Sequence, residues 1–363
     1  MADGNGGGVR WSRWFRPAPP GAPQQPSLAD LAHYLQGLDL ETAVLIGCTD
    51  DWVRCLAALD AGLRGRFRTS LPDAAVIAQL VDKGGLAAAL RDAGVPHPET
   101  RLLESESDLE TVSDALISSS FLKPVDSQRF GPVFQAKAFN VTSREDALAK
   151  FRKARAAGLQ LLLQEYVPGP PTNHYFVDGF LDAGGTLRGV FARRRHRMYP
   201  RDFGNSSYMT SVPAREVEEA TAAVQQLFRH TGYRGIFSAE FKRDQRDGVF
   251  KLLEVNVRPW WYVEFAARCG VDVCYMYYLD ALERPVPSSS QYRAGQRLVH
   301  AWCDFKAWGE RRRAGDKAWW DHWGAWLGSH RATFSWDDPL PAVAMTLQAV
   351  TRKAAGLFGR RGR

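Results

Sequence analysis

One stretch constrains this chain more than any other. Phe237–Arg243 and Val249–Val257 are runs that alternate apolar and polar residues, and Asp247-Gly248 between them is a strong hairpin-turn signal. Two adjacent antiparallel strands follow from it. A strand has a period of two, so Glu254, Asn256 and Arg258 project from one face. In a hairpin centred near Gln245–Asp247, Glu240 lies almost opposite Glu254. Two carboxylates and an amide oxygen then converge beside a guanidinium. Hard oxygen donors of this kind suit Mg²⁺ or Mn²⁺, held through one or two carboxylates together with nucleotide phosphates. Arg258 has the fork geometry to grip a phosphate or carboxylate with two bonds. A solvated polar strand face with ordinary ion pairs fits the same pattern.

The rest of the chain divides around this hairpin. From 99 to 285, short aliphatic and aromatic runs predict strands at Phe121–Pro124, Phe134–Asn140, Leu161–Tyr166, Tyr175–Leu181 and Arg188–Met198. Helices are expected over Arg144–Ala156 and Ala214–His230, which makes this region an antiparallel α+β domain. Upstream, 27–98 reads as a short, partial parallel α/β layer. Ser27 caps a helix to about Leu38, Thr42–Ile46 is a buried strand, and Thr49-Asp50-Asp51 caps a helix from Trp52 to about Gly62. Further helices cover Asp73–Asp82 and the span ending at Asp92. Residues 1–26 are rich in Gly, Pro and Arg and read as irregular. Residues 286–363 hold seven of the twelve tryptophans and read as a helical extension.

Composition excludes several classes. The net charge of +7 suits anionic ligands without pointing to nucleic acid. Five scattered cysteines without a C-x-x-C pair fit neither a disulfide framework nor a zinc site, and read as reduced thiols of a cytoplasmic protein. No apolar run approaches the roughly 18 residues of a membrane span, and the N-terminus lacks the order of a signal peptide.

Two further motifs carry chemistry. Lys123 ends the apolar strand Phe121-Leu122-Lys123-Pro124 and is followed by a loop with one glycine, Gly131; it can point at a phosphate or snorkel at the surface. Leu161–Gly169 is an apolar strand running into a Pro/Gly turn. That turn is either a plain strand end or a hinge whose backbone reads an adenine edge.

Taken in order, Asp82-Lys83-Gly84-Gly85, Gly94-Val95-Pro96-His97-Pro98-Glu99-Thr100, Phe121-Leu122-Lys123-Pro124, Leu163-Gln164-Glu165-Tyr166-Val167-Pro168-Gly169, Ala239-Glu240-Phe241 and Leu253–Pro259 resemble the ATP-grasp superfamily. Its members include biotin carboxylase, D-alanine–D-alanine ligase and D-aspartate ligase. The resemblance runs from about Thr42 to Pro285. It implies an ATP-grasp fold, α/β plus α+β, and an ATP-dependent, Mg²⁺-dependent ligase. Such an enzyme activates a carboxylate as an acyl phosphate and joins it to an amine. Lys83 and Lys123 would contact the nucleotide phosphates. Gln164, Glu165 and Val167 would form the adenine hinge, the last two largely through backbone groups, and His174 either touches ribose or is a hydrogen-bonded structural histidine. Glu240, Glu254 and Asn256 would hold the metal, and Arg258 would stabilise the transferring phosphate. Arg193, Arg195 and Arg197 share one face of a strand, which is either a solvated basic edge or a substrate wall on which Arg195 and Arg197 would hold an anionic carboxylate substrate or the γ-phosphate, under a covering loop at Pro200–Ser207.

Three features depart from the pattern. The N-terminal layer has about half the usual strands. The loop after Lys123 has a single glycine, and Lys137 either compensates for the missing ones or is an ordinary surface lysine. Trp260-Trp261-Tyr262 stands where smaller residues are common, either to stack on a flat or sugar-like substrate or to pack against the tail. Biotin carboxylation is not expected, because that enzyme's residues after the arginine are missing. A second reading is a degenerate nucleotide-binding protein that no longer ligates. A third is a peripheral membrane or nucleic-acid binder acting through its basic ends, with Phe358 among the cations of the tail. The aromatic-rich tail also fits covering a partner subunit in a homodimer.

Overall fold

The computed structural model describes residues 8–201, 204–289 and 291–358. The chain builds three sheets. The first is a parallel pair, β1 (Ala43–Val44) and β2 (Phe67–Arg68), set among helices Leu28–Gln36, Asp50–Ala57, Ala61–Arg66, Ala74–Val81 and Lys83–Asp92. Ser27 and Thr49 start their helices where the sequence places them, whereas Lys83-Gly84-Gly85, expected to punctuate between two helices, is the first turn of the second. The Ser27 side chain accepts from the Asp30 amide, Thr49 from Trp52 and Asp82 from Gly85. Each satisfies an amide that the first turn leaves without a partner. The two residues of β2 are too few to show any period.

The second sheet is antiparallel and has the order β3-β6-β4-β5: β3 (Thr100–Leu103), β4 (Ser120–Pro124), β5 (Phe139–Asn140) and β6 (Leu161–Glu165). It has a core of its own, including Leu103, Leu122, Phe130, Phe151, Leu161 and Leu163. The strand expected over Phe134–Asn140 survives only as β5, because Ser127–Phe134 is a helix. The i, i+4 spacing of Phe130 and Phe134 lays both rings on one helix face. There they pack with Phe139, ring centroids 4.8–5.1 Å apart.

The third sheet has seven strands in the order β11-β10-β7-β8-β9-β12-β13. They are β7 (His174–Leu181), β8 (Leu187–Tyr199), β9 (Asn205–Ser211), β10 (Gly235–Arg243), β11 (Phe250–Asn256), β12 (Arg297–Val299) and β13 (His330–Arg331). Helix Glu218–Thr231 packs Val224, Leu227 and Phe228 into the core shared with Phe237. A short 3₁₀ turn, Ala214–Val217, precedes that helix. The 286–363 extension is therefore not wholly helical, since it adds β12 and β13 to the sheet edge beside helices Ala301–Arg313 and Leu340–Phe358. Strand β9 likewise takes up the end of the expected Pro200–Ser207 loop. Asp202 and Phe203 of that loop, residues 1–7 and the terminal residues 359–363 lie outside the described residues.

One core runs through the N-terminal layer and the seven-stranded sheet, joining Leu31, Phe67 and Ile77 to Phe237 and Phe265. The division expected at 98/99 is thus not where packing divides. The separate packing unit is the four-stranded sheet with its helices. Among the described residues, no helix is long and apolar enough to cross a membrane.

Candidate functional site

The cleft lies between the two larger sheets. Its walls include Lys83, Leu86 and Leu90 from helix Lys83–Asp92, His97, Thr100, Lys123, Leu162 and Gln164 from around the small sheet, and Leu252, Leu253 and Glu254 from β11.

The acidic wall comes from the β10–β11 hairpin. Gly248 in its turn has φ +77°, a left-handed conformation that glycine tolerates. A β-bulge at Leu253 shifts the register, so that Phe241 pairs with Leu252 while Glu240 pairs with Glu254. Without that extra residue Glu240 would face Leu253. The bulge therefore sets the two carboxylates directly opposite each other. Ala239, Phe241, Leu252 and Val255 turn into the core, and Asn256 follows Glu254 on the cleft side beside Ser238. The donor set is two carboxylates and one amide oxygen. Among the described residues, no cluster of three or more His, Cys, Asp or Glu is placed to hold a metal ion by itself. This set fits a hard cation that completes its shell from phosphate oxygens and water.

Glu240 is enmeshed and Glu254 is not. Glu240 Oε1 lies 2.8 Å from His174 Nδ1 and 3.1 Å from the Arg195 guanidinium. Burial pushes the Glu240 carboxyl up, but Arg195 and His174 outweigh it and hold the group well below the usual carboxylate range. Burial also depresses the imidazolium form of His174, against the pull of Glu240. Arg195 is buried, and its Nε donates to Ser206 Oγ at 2.8 Å. Glu254 is half exposed, with Oε2 4.0 Å from Lys123 Nζ.

The cations converge from different elements. Lys83 donates to the Pro124 carbonyl. Burial and the neighbouring Lys123 lower its pKa to about 8, while Glu254, Asp126 and Asp82 pull the other way. Arg258 leaves the end of β11 and binds Asp50 of the N-terminal layer, Nε to Oδ1 2.8 Å, and donates to Asn256 Oδ1 at 3.1 Å. It thereby ties Asn256 to the N-terminus of the helix Asp50–Ala57.

The three arginines of β8 part company. Arg193 is buried against the fully buried Asp178 and the Phe176 ring. Register shifts on both sides of Arg197, the first at His196, separate it from Arg195. Arg195 goes to Glu240, whereas Arg197 makes a two-pronged bond to Asp304 of the C-terminal extension at 3.0 and 2.7 Å. Asp304 also accepts from Ser207 and Trp326, and His322 Nε2 lies 2.7 Å away. Arg197 is thus engaged by the chain's own carboxylate.

The expected hinge is also divided. Gln164 lines the cleft and donates to Thr100 Oγ1 at 3.0 Å. Glu165 instead binds Arg246, Lys251 and the Glu99 amide, and its own amide donates to the Glu99 carbonyl. Val167 is buried.

Sequence reasoning gave two lysines too little weight. Lys137 reaches from the small-sheet side to Asn205 Oδ1 on β9 at 3.3 Å, near Arg195, Glu254 and Glu240. Lys242 follows Glu240 on the same strand face, 4.6 Å from the Tyr166 ring centre, with its pKa lowered to about 8 chiefly by burial. The alternation of β10 carries a signal for Lys242. No local pattern marks Lys137.

No family model matches the chain. It is similar to D-aspartate ligase of Enterococcus faecium (strain Aus0004), 22% identical over 223 residues that cover 59% of this chain and 53% of that protein. It is also similar to D-alanine–D-alanine ligase of Acidiphilium cryptum (strain JF-5), 27% identical over 209 residues, 53% of this chain and 63% of that protein. The chain thus spans between about half and under two thirds of these relatives' lengths. Among solved structures it superposes on an ADP complex of N5-carboxyaminoimidazole ribonucleotide synthetase with a TM-score of 0.58. There the identity is 17%, and the match covers 74% of this chain and 66% of that one.

Proposed function

We propose that this chain, which folds like the ATP-grasp enzymes it superposes on, activates a carboxylate with ATP and joins it to an amine. The observation that carries this reading is the bulge that sets Glu240 against Glu254 at a cleft lined by Lys83 and Lys123. The two curated relatives are ligases whose names specify an amino-acid substrate.

In this reaction a substrate carboxylate oxygen attacks the γ-phosphorus, and the bond to the bridging oxygen breaks to release ADP. The amine nitrogen then attacks the acyl phosphate carbon, the C–N bond forms, phosphate leaves and the amine loses a proton. Phosphoryl transfer of this kind asks the protein for positioning and charge neutralisation. Lys83 and Lys123 bind and orient the phosphate chain as cations. Gln164 and Thr100 line the cleft where the nucleoside enters. Arg258, already braced by Asp50, steadies Asn256 and offers a guanidinium to the transferring group. Of the two arginines expected to meet the anionic substrate, Arg195 stays beside the cleft carboxylates, paired with Glu240, whereas Arg197 is turned away to Asp304. Glu240, Glu254 and Asn256 would hold Mg²⁺ or Mn²⁺, which supplies neutralisation of phosphate charge.

The test is ADP release from Mg-ATP with amino-acid carboxylates and amines, offered singly and in pairs, for wild type and Glu254→Gln. Release that needs both partners and falls about 10²–10³-fold in the variant is expected. Release indifferent to carboxylate and amine, or equal in the two proteins, overturns the assignment.

A further inference from the structure

The two ends of the described chain meet on one surface. Gly8 packs so closely on the helix Leu340–Phe358 that a Cβ there would lie 2.3 Å from the Pro341 carbonyl oxygen and 2.5 Å from Met345. The Arg13 amide donates to Asp338, as does the Ser12 hydroxyl, and the Arg13 guanidinium reaches the Asp337 carbonyl. Around this junction stand Val9, Trp11, Trp14, Trp336, Leu340, Val343 and Leu347, all exposed. Trp14 is 66% exposed, Trp336 89% and Leu347 61%. Leu340, Val343 and Leu347 follow the i, i+3, i+7 spacing that lines one helix face.

Charge is concentrated in the same two stretches. Residues 1–16 and 334–363 hold eight Lys or Arg against three Asp, which gives five of the chain's seven net positive charges. Arg10, Arg13 and Arg16 interleave with the tryptophans, and the Arg13 guanidinium lies 4.5 Å from the Trp14 ring centre. The nearby acids are occupied: Asp338 by Ser12 and Arg13, Asp337 by the Ser335 hydroxyl. None of these residues lines the cleft.

We propose that this joined-termini face docks on an anionic lipid bilayer. Indoles, with an apolar body and a polar tip, settle at the headgroup level. Aliphatic side chains on one helix face enter the acyl boundary. Arg10, Arg13 and Arg16 match anionic headgroups, an attraction that fades beyond a Debye length. A protein partner with a dry apolar groove would leave the interleaved arginines without counter-charge, so the bilayer fits the whole surface better.

The test is co-sedimentation of the full chain with vesicles of equal phosphatidylglycerol and phosphatidylcholine, and with phosphatidylcholine alone. Binding is expected to the anionic vesicles, at least about tenfold tighter than to the neutral ones, and to weaken as salt rises. Trp11→Ser with Trp14→Ser should lose it about tenfold at an unchanged thermal midpoint. Arg10→Ser with Arg16→Ser, which touches no core residue, should lose it too. No binding by folded protein, equal binding to both vesicle types, or a mass in solution that halves in the tryptophan variant overturns the proposal. The last of these would make the face a contact between two copies. This outcome is read without ATP and stands apart from the test of ligation.

Discussion

The two sheets that line the cleft hold their charges in opposite ways. On the seven-stranded sheet the charges are sunk and mutually neutralised: Arg193 with Asp178, Arg195 with Glu240, Arg197 with Asp304. On the four-stranded side the cations are loosely held. Lys123 stands 4.0 Å from Glu254, and Lys137 spans to Asn205 at 3.3 Å. The cores follow the same division, because the large sheet shares one with the N-terminal layer and the small sheet has its own. The lesson is about labour. A wall of preorganised dipoles and carboxylates gains from rigidity. A wall that brings cations over phosphates gains from a unit that can move as one piece.

That contrast is broken most directly at the two carboxylates that face each other. Glu240→Ala strands the buried Arg195 without its counter-ion, and a buried charge left unpaired costs about 3 kcal/mol or more. Glu254→Ala removes a half-exposed group whose nearest cation is 4.0 Å away, worth under about 1 kcal/mol. Thermal unfolding of both variants should separate them by several degrees in midpoint, although both should lose turnover. Equal stabilities would show that Glu240 is not structurally anchored, and the description of the large sheet would fail.

A second break lies in the C-terminal extension. Burial pushes the Asp304 carboxyl up, but His322 and Arg197 outweigh it and hold the group well below the usual range. A depressed carboxylate adds stability that is present above its unfolded pKa of about 3.9 and is lost as pH falls toward the folded value. Asp304→Asn should therefore cost about 2–3 kcal/mol at pH 7, and that gap should narrow steadily below about pH 4. A gap constant from pH 7 to pH 2 would mean that shape rather than charge makes the contact.

Much of this was legible from local pattern. The Asp-Gly turn and the near alternation on either side of it disclosed the hairpin, and Ser27 and Thr49 disclosed their helices. The bulge at Leu253 was not legible, because nothing in Leu252-Leu253-Glu254 says which residue is extra. The separation of Arg195 from Arg197 was also hidden, since it depends on register shifts on either side of Arg197 and on an aspartate about a hundred residues away. Strands β12 and β13 are two or three residues long and exist only because the edge of β9 offers unpaired amides and carbonyls. Tertiary context, rather than propensity, made each of these.

The smallest effect sharpens the comparison best. Lys137 crosses from the small-sheet side to β9, and burial together with Arg195 lowers its pKa. If the small sheet is the mobile wall, this lysine belongs to the moving part and its bond to Asn205 is a latch of modest strength. A neutral partner makes a charge-assisted bond worth about 1.5–3 kcal/mol at most, less for one that solvent reaches. Lys137→Met should leave the global unfolding midpoint within about two degrees. It should raise KM for Mg-ATP up to about tenfold, and amides of β4 and β6 should exchange faster while those of β7 and β10 do not. Asn205→Ala should reproduce the exchange result without the rise in KM, because it removes the latch and keeps the cation. Unchanged exchange in both variants would make Lys137 an ordinary surface lysine and would leave the two sheets as one rigid wall.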